Sequence, residues 1–435
     1  MTVNSIGIHR IEIYFPRLYV DQIELEKHDN VVGKYTKGLG QQKMAVCSML
    51  DDVQSMCLTV LKNLLESTQV KLENIGYLEV GTETLIDKSK SIKTVLMQFF
   101  EEQGVFDVAG IDTKNACFSG TSALFNALNW LESSSCRNRM AIVIAADNAV
   151  YKEINARPTG GAGAIAMLLG QNAQVVFNLN ERVFCMKHRY DFYKPNLSSE
   201  YPIVDGSLSL NCYKEALHHC FENIQNSPRL NKSHPCQNPC SVIDKFDYFL
   251  FHSPFVKLVQ KCFSSLVLSE FKKKKDLNYL QPGELEEIKR ITETQNDEIL
   301  LEREMIRITA RLFEEKVSPS LTCARNCGNM YSASLYASLF SLLCNLYPIS
   351  SIERNVNVAL FSYGSGFASS LFTLTIKQNL ENKNAFEVIE NPKEFTERLN
   401  QLRVKISPQD FEKFISLRET FSHQNKNFRR FYKRN

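Results

Sequence analysis

Apolar residues recur at helical spacing near the start of the chain. Met49, Val53, Met56, Cys57, Val60, Leu61, Leu64 and Leu65 share one face, which predicts an amphipathic helix from Met49 to Leu65. Before it, Met1 to Pro16 alternates apolar and polar positions and reads as an opening strand. After it comes a short strand, Ile75 to Val80, which stops at Gly81. Thr94 to Phe100 reads as helix, and Val105 to Ile111 as a short apolar stretch closed by Asp112-Thr113-Lys114-Asn115. From Gly120 to Leu131 the residues Ala123, Leu124, Ala127, Leu128 and Leu131 again fit one helical face. Met140 to Ala146 is a continuous apolar run, the pattern of a strand covered on both faces. Gly160 to Gly170 and Gln174 to Leu179 read as two neighbouring strands bounded by glycine and polar residues.

The second half echoes this plan. Met330 to Leu346 reads as a helix, Asn357 to Ser362 as a strand, Tyr363-Gly364-Ser365-Gly366 as a turn, and Phe367 to Ile376 as the returning strand. Thr121 to Leu128 lines up with Ser332 to Leu339, small residue for small residue. Alternating strands and helices predict an α/β layered fold with a parallel or mixed sheet, and the echo suggests a duplication. Between the halves, Gln225 to Cys240 is polar and reads as a loop. Lys272 to Lys275 opens a charged region that runs to about Glu315 and reads as a solvated face.

Composition narrows this picture. The chain has 435 residues, enough for two or three units at about 150 residues each. Its 44% hydrophobic and 23% charged residues are those of a globular protein, which excludes disorder, collagen and coiled coil as overall descriptions. Lys plus Arg total 51 against 48 Asp plus Glu, so no basic field points to nucleic acid. The basic stretch Phe421 to Asn435 reads as a solvated end. Thirteen cysteines cannot all pair within one chain, and they read as reduced core residues. No apolar run reaches the eighteen or so residues of a membrane span, and the N-terminus has no signal or transit character. A cytoplasmic protein without membrane or nucleic-acid partners is expected.

Several motifs carry little. Gly161-Ala162-Gly163-Ala164-Ile165-Ala166 matches a dinucleotide fingerprint but precedes a strand-like run instead of a helix. Cys236, Cys240 and His234 lack a fourth metal ligand, and no P-loop is present. Cys117 is different. It precedes a helix and is flanked by Ser119, Gly120 and Thr121, so dipole and free N–H groups there favour thiolate and an oxyanion, although a buried structural thiol fits the pattern too. Glu83 lies in Gly81-Thr82-Glu83-Thr84 just past a strand, where α/β proteins place working residues, and a helix cap is the other reading. His252 ends the strand-like Phe249-Leu250-Phe251, as a functional residue or a satisfied core histidine. Lys257 and Lys261 share the next helical face, solvated or holding phosphate.

Seven blocks together resemble the 3-hydroxy-3-methylglutaryl-CoA (HMG-CoA) synthases of eukaryotic type. They are Gly81-Thr82-Glu83-Thr84, Asn115-Ala116-Cys117, Asn155 to Gly161, Tyr190 to Pro195, Phe251-His252-Ser253-Pro254, Gly328-Asn329-Met330-Tyr331 and Ser362 to Gly366. The similarity covers Gly7 to Tyr432. It implies the thiolase fold, with two duplicated α/β halves (residues 5–173 and 174–434) in a five-layered αβαβα arrangement, and a homodimer. The implied reaction condenses acetyl-CoA with acetoacetyl-CoA and water to HMG-CoA and CoA, an isoprenoid-precursor step without metal or redox cofactor. Carried over by position, Cys117 is the acetylated nucleophile, Glu83 the acid/base and His252 the residue that holds the second substrate. Thr121, Asn329, Tyr363 and Ser365 match acyl-pocket positions, Asp87, Asp147 and Asp191 supporting acids, and Lys257 and Lys261 the CoA-phosphate face. Three positions depart from the family pattern. Phe118 and Ser119 replace Tyr and Gly after the nucleophile, and Cys185 stands where His is usual. A related thiolase-fold condensing enzyme, or an acyl-CoA-binding scaffold with weak turnover, are the alternatives those departures motivate.

Overall fold

A computed structural model describes residues 5–196, 199–227, 230, 241–274, 277–378 and 387–424. Cys236, Cys240, His234, Lys275 and most of the basic C-terminal stretch lie outside the described residues. The strands, in chain order, are β1 (Gly7–Tyr14), β2 (Leu18–Asp21), β3 (Lys43–Val46), β4 (Ile75–Gly81), β5 (Asp112–Thr113), β6 (Met140–Ala149), β7 (Gly161–Gly170), β8 (Val175–Met186), β9 (Phe192–Tyr193), β10 (Ile203–Val204), β11 (Tyr248–Phe251), β12 (Val356–Gly364), β13 (Ala368–Ile376) and β14 (Val404–Ile406). Nine of them form one mixed sheet in the order β11-β12-β13-β8-β1-β7-β6-β4-β5.

The sheet has two arms built on one plan. In the first, β4 pairs parallel with β6, β6 antiparallel with β7, and β7 antiparallel with β1. In the second, β11 pairs parallel with β12, β12 antiparallel with β13, and β13 antiparallel with β8. The arms join where Gly7 and Ile8 meet Val176 and Val175. A Cβ on Gly7 would sit 1.9 Å from the Val175 carbonyl oxygen, so only glycine lets the two edges close there. The duplicated halves are therefore not two separate sheets but one, folded around its join.

Alternation along the strands shows what lies inside the fold. Ala141, Val143 and Ala145 of β6 and Val358 and Leu360 of β12 belong to one core, shared with the helices Ser119–Glu132 and Ser334–Asn345. The opposite faces, Ile142, Ile144 and Ala146, and Ala359 and Phe361, belong to two outer cores. The first is covered by the helix Val53–Thr68, the second by Gly206–Gln225 and Val256–Lys274. Helix, sheet, helices, sheet, helices is the five-layered order expected from the resemblance. Both faces of each arm are covered, which is why the central strands read as unbroken apolar runs.

The helix expected from Met49 begins at Val53, because Asp52 and Ser55 form a reciprocal capping box at that point. The expected Thr94–Phe100 helix is two short turns, Ile92–Leu96 and Gln98–Glu101. The charged region forms three helices, Pro282–Thr294, Glu298–Ile308 and Ala310–Lys316. Their outer faces carry ion pairs such as Arg307–Glu304, while Ile288, Ile291, Met305 and Phe313 enter the second outer core. The polar segment expected as a loop from Gln225 is described only at 225–227, 230 and beyond 240. No described helix is long and apolar enough to cross a membrane.

Candidate active site

The site lies where the C-terminal ends of β4 and β6 meet the starts of the two central helices. Glu83 follows β4 by two residues, and its turn is held by Asp147 near the end of β6. One Asp147 oxygen accepts from the Thr82 hydroxyl (2.8 Å), the Glu83 N–H (2.9 Å), and the Thr84 N–H and hydroxyl (3.0 and 2.8 Å). The other accepts from the N–H (3.0 Å) and hydroxyl of Ser332 in the second half. A fully buried carboxylate is tolerable with that many donors. Asp147 thereby sets where Glu83 stands relative to the second half.

Cys117 sits on a strained turn. Ala116 before it has φ of +44°, a region that side chains rarely enter. The Ser119 hydroxyl donates to the Ala116 carbonyl at 2.8 Å, and the Phe118 N–H to that of Asn115 at 3.1 Å. Ser119 thus spends its hydroxyl on its own turn. Gly364 at the end of β12 lies flat against this loop, since a Cβ there would come within 2.5 Å of the Phe118 nitrogen. The Cys117 thiol donates to Glu83 Oε1 at 3.4 Å.

Electrostatics correct one expectation. Burial pushes the Cys117 thiol well up, and the charges of Glu83 and Asp147 push it the same way. The adjacent helix N-terminus does not leave a resting thiolate, because two anions so close in a dry site are unfavourable. Burial also raises the Glu83 carboxyl to about 7, opposed first by the Lys194 ammonium. At rest the thiol therefore keeps its proton and offers it to Glu83 through a hydrogen bond.

His252 directly follows β11, the strand that corresponds to β4 in the second arm. Its N–H donates to the Phe361 carbonyl at 2.8 Å, and its own carbonyl accepts from the Tyr213 hydroxyl at 2.7 Å. The ring is buried, and Nδ1 has no hydrogen-bond partner among the described residues. Burial lowers its pKa to about 3, so the ring is neutral near pH 7. A satisfied core histidine is thus the wrong description. A polar atom buried without a partner costs stability unless a ligand meets it. Tyr213 lies beside it, with ring centroids 6.4 Å from His252 and 5.2 Å from Tyr363, and burial pushes both phenols up.

The other expected residues divide into two groups. Tyr363 donates to Asp191 at 3.2 Å, and Asp191 accepts from the Gly366 N–H at 2.8 Å, so this pair fixes the turn that holds Ser365. Asn329 is buried with its side-chain oxygen on the Tyr331 N–H at 2.9 Å. Thr121 bonds Ser362 (2.6 Å) and Tyr336 (2.8 Å), which places it in the packing between the halves. Asp87 caps its own turn, accepting from the Ser89 and Lys90 N–H groups at 2.8 and 3.0 Å. Lys257 donates to Gln260 (2.9 Å), and Lys261 meets Glu302 (2.6 Å), which also holds Lys214. Both lysines stand on the outer helix Val256–Lys274, half-buried. Cys185 is buried in the outer core with Cys212 and Cys220.

Lys194 is the residue whose role sequence spacing does not reveal. Its Nζ is 3.2 Å from Glu83 Oε2, yet nothing links the two along the chain. Among the described residues no group of three or more His, Cys, Asp and Glu side chains could hold a metal.

Comparisons with known proteins agree with this geometry. The family described as hydroxymethylglutaryl-coenzyme A synthase matches with its N-terminal part at residues 2–174 and its C-terminal part at 175–434. A hydroxymethylglutaryl-CoA synthase 2 of Blattella germanica is 46% identical over 97% of this chain and 91% of its own. A cytoplasmic hydroxymethylglutaryl-CoA synthase of Homo sapiens is 44% identical over 96% of this chain and 81% of its own. Among solved structures, MvaS in complex with 3-hydroxy-3-methylglutaryl coenzyme A superposes with a TM-score of 0.79 at 26% identity, covering 95% of this chain and 92% of that one. A synthase complexed with CoA, 24% identical, shares the fold at a TM-score of 0.67 over 94% of this chain and 90% of that one. Paired family domains and relatives 44–46% identical over nearly the whole of this chain lead to one conclusion: the chain belongs to the hydroxymethylglutaryl-CoA synthase family.

Proposed function

We propose that Cys117, Glu83 and His252 divide the work of condensing acetyl-CoA with acetoacetyl-CoA and water to HMG-CoA and CoA. As the Cys117 thiol attacks the thioester of acetyl-CoA, its proton passes to Glu83, which hands it to the departing CoA sulfur so that CoA leaves as the thiol. The acetyl group stays a thioester, so its methyl protons remain acidic. Glu83, ionised again, takes one of them, the carbon nucleophile adds to the ketone of acetoacetyl-CoA, and the ketone oxygen takes up that proton as it becomes the tertiary hydroxyl. His252, neutral and with an uncommitted ring nitrogen, hydrogen-bonds that second substrate. Water then cleaves the Cys117 thioester, which releases the product and makes condensation effectively irreversible. No step calls for a metal or a redox cofactor.

The observation that carries this reading is the Cys117 thiol directed at Glu83 at 3.4 Å in a half-buried site. A relative solved with 3-hydroxy-3-methylglutaryl coenzyme A supports acyl-CoA substrates. In this reading Lys257 and Lys261 meet the CoA phosphates. Asn329, Tyr363 and Ser365 shape the acyl pocket. Names of the cytoplasmic relatives support action in the cytoplasm. A homodimer is the assembly we expect, checked by sedimentation. The direct assay is CoA release with both acyl-CoAs, alongside mass spectrometry for acetyl on Cys117. Cys117→Ala should be silent and unlabelled. Equal silence of the unmodified chain, with acetyl-CoA still bound, would support a scaffold instead.

A further inference from the structure

Glu83 gives its two oxygens to different partners. Oε1 accepts from the Cys117 thiol at 3.4 Å, while Oε2 faces the Lys194 ammonium at 3.2 Å. Lys194 stands one residue past β9, with Nζ 5.7 Å from the ring centre of Phe192 and 5.2 Å from that of Tyr331. Both rings attract a cation and restrict where it can go. The Lys194 side chain is 17% exposed and that of Glu83 6%, so the pair is largely shielded from water. The other groups facing Glu83 are Asp147 from β6, the Cys117 thiol, and the Tyr151 and Tyr331 phenols. Glu200 faces Lys194 from the far side. Among these, burial and Asp147 favour a protonated Glu83, and Lys194 opposes them.

We propose that Lys194 is a positioning residue for the acid/base step: it keeps Glu83 ionised before reaction and occupies Oε2, so that Oε1 is the oxygen presented to the reacting proton. The inference rests on the reading of Glu83 as acid/base. It makes a specific statement about pH. A base works only when ionised, so turnover rises with pH through the Glu83 pKa. Removing the Lys194 charge leaves burial and Asp147 unopposed, and that limb moves to higher pH.

The test is CoA release by the full-length chain from pH 5.5 to 9.5, for the unmodified protein, Lys194→Met, Lys194→Arg and Glu83→Gln. For Lys194→Met we expect the acid limb to move up by about one unit or more, with kcat at pH 7 falling about fivefold or more. KM for acetyl-CoA should stay within about threefold, and rate should recover at high pH. Lys194→Arg should return the limb most of the way, although its planar head fits the aromatic slot less well. A loss of equal size at every pH would assign Lys194 a structural role and overturn the proposal, as would an unmoved limb. If Glu83→Gln kept normal turnover, the acid/base reading itself would fail. An inactive Glu83→Gln beside an unmoved Lys194→Met limb would fail the Lys194 inference alone. Lys194→Arg keeps charge and bulk, so it remains informative if the methionine variant does not fold.

Discussion

The side chains at the reacting centre are tuned mainly by burial. Burial takes the Glu83 carboxyl up to about 7 and the His252 ring down to about 3. The first shift predicts that turnover climbs with pH through about 7, and that Glu83→Gln lowers kcat by about a hundredfold or more. A rate flat from pH 5 to 8 would contradict it. The second predicts no His252 limb in that range, because the ring is uncharged from about pH 4 upward. Replacing His252 by Ala should raise KM for acetoacetyl-CoA well above its effect on acetyl-CoA, measured by varying each substrate in turn. These residues were legible in the sequence because each ends a strand or precedes a helix beside small residues. Their ionisation was not. The helix start just after Cys117 suggested thiolate, but burial and carboxylates from distant parts of the chain reverse the sign. Lys194 was hidden for the same reason, since no spacing rule connects it with Glu83.

At the scale of elements, the continuous apolar strands were the easiest to read, and β6, β7, β12 and β13 lie within a few residues of their expected limits. Helix starts were harder, because caps and strained turns set them. Met330–Leu346 begins instead with a single 3-10 turn at Tyr331–Ala333, and the helix runs Ser334–Asn345. Tyr331 has φ of +44°, as Ala116 does, and each stands three residues before its helix. Aligned on that turn, Cys117 matches Ser332 and not Thr121, so the repeat seen in sequence was displaced by about one helical turn. Small residues repeated at helical spacing cannot fix such a register. The close approach of Gly364 to the nucleophile turn gives another test. Gly364→Ala places a Cβ 2.5 Å from the Phe118 nitrogen and should cost activity at least tenfold, with about 1–3 kcal/mol of stability lost to overpacking. Full acetylation of Cys117 in that variant would show the loop to be more yielding than its packing implies.

For the whole molecule, the shared central layer matters more than the duplicated plan. The inner core draws Leu124 and Leu128 from one half and Leu339 and Leu342 from the other. Neither half can bury its central helix alone, so heat or denaturant should unfold the chain in a single transition. Two resolved transitions in calorimetry, or a folded fragment of residues 5–173, would refute this. An α/β layered architecture was legible from strand–helix alternation, and its five-layer order from the resemblance alone. The closure of both arms into one sheet was not, because it depends on a two-residue contact at Gly7.

The two turns at Ala116 and Tyr331 show what a repeated architecture permits. They bring two helix starts together at Asp147, and only the first carries a thiol. In the second, Ser332 stands at the place matching Cys117 and grips Asp147 instead. One copy became the tool and the other its vice. Substitutions at Ser332 should accordingly be felt at Glu83, through the carboxylate that both of them touch.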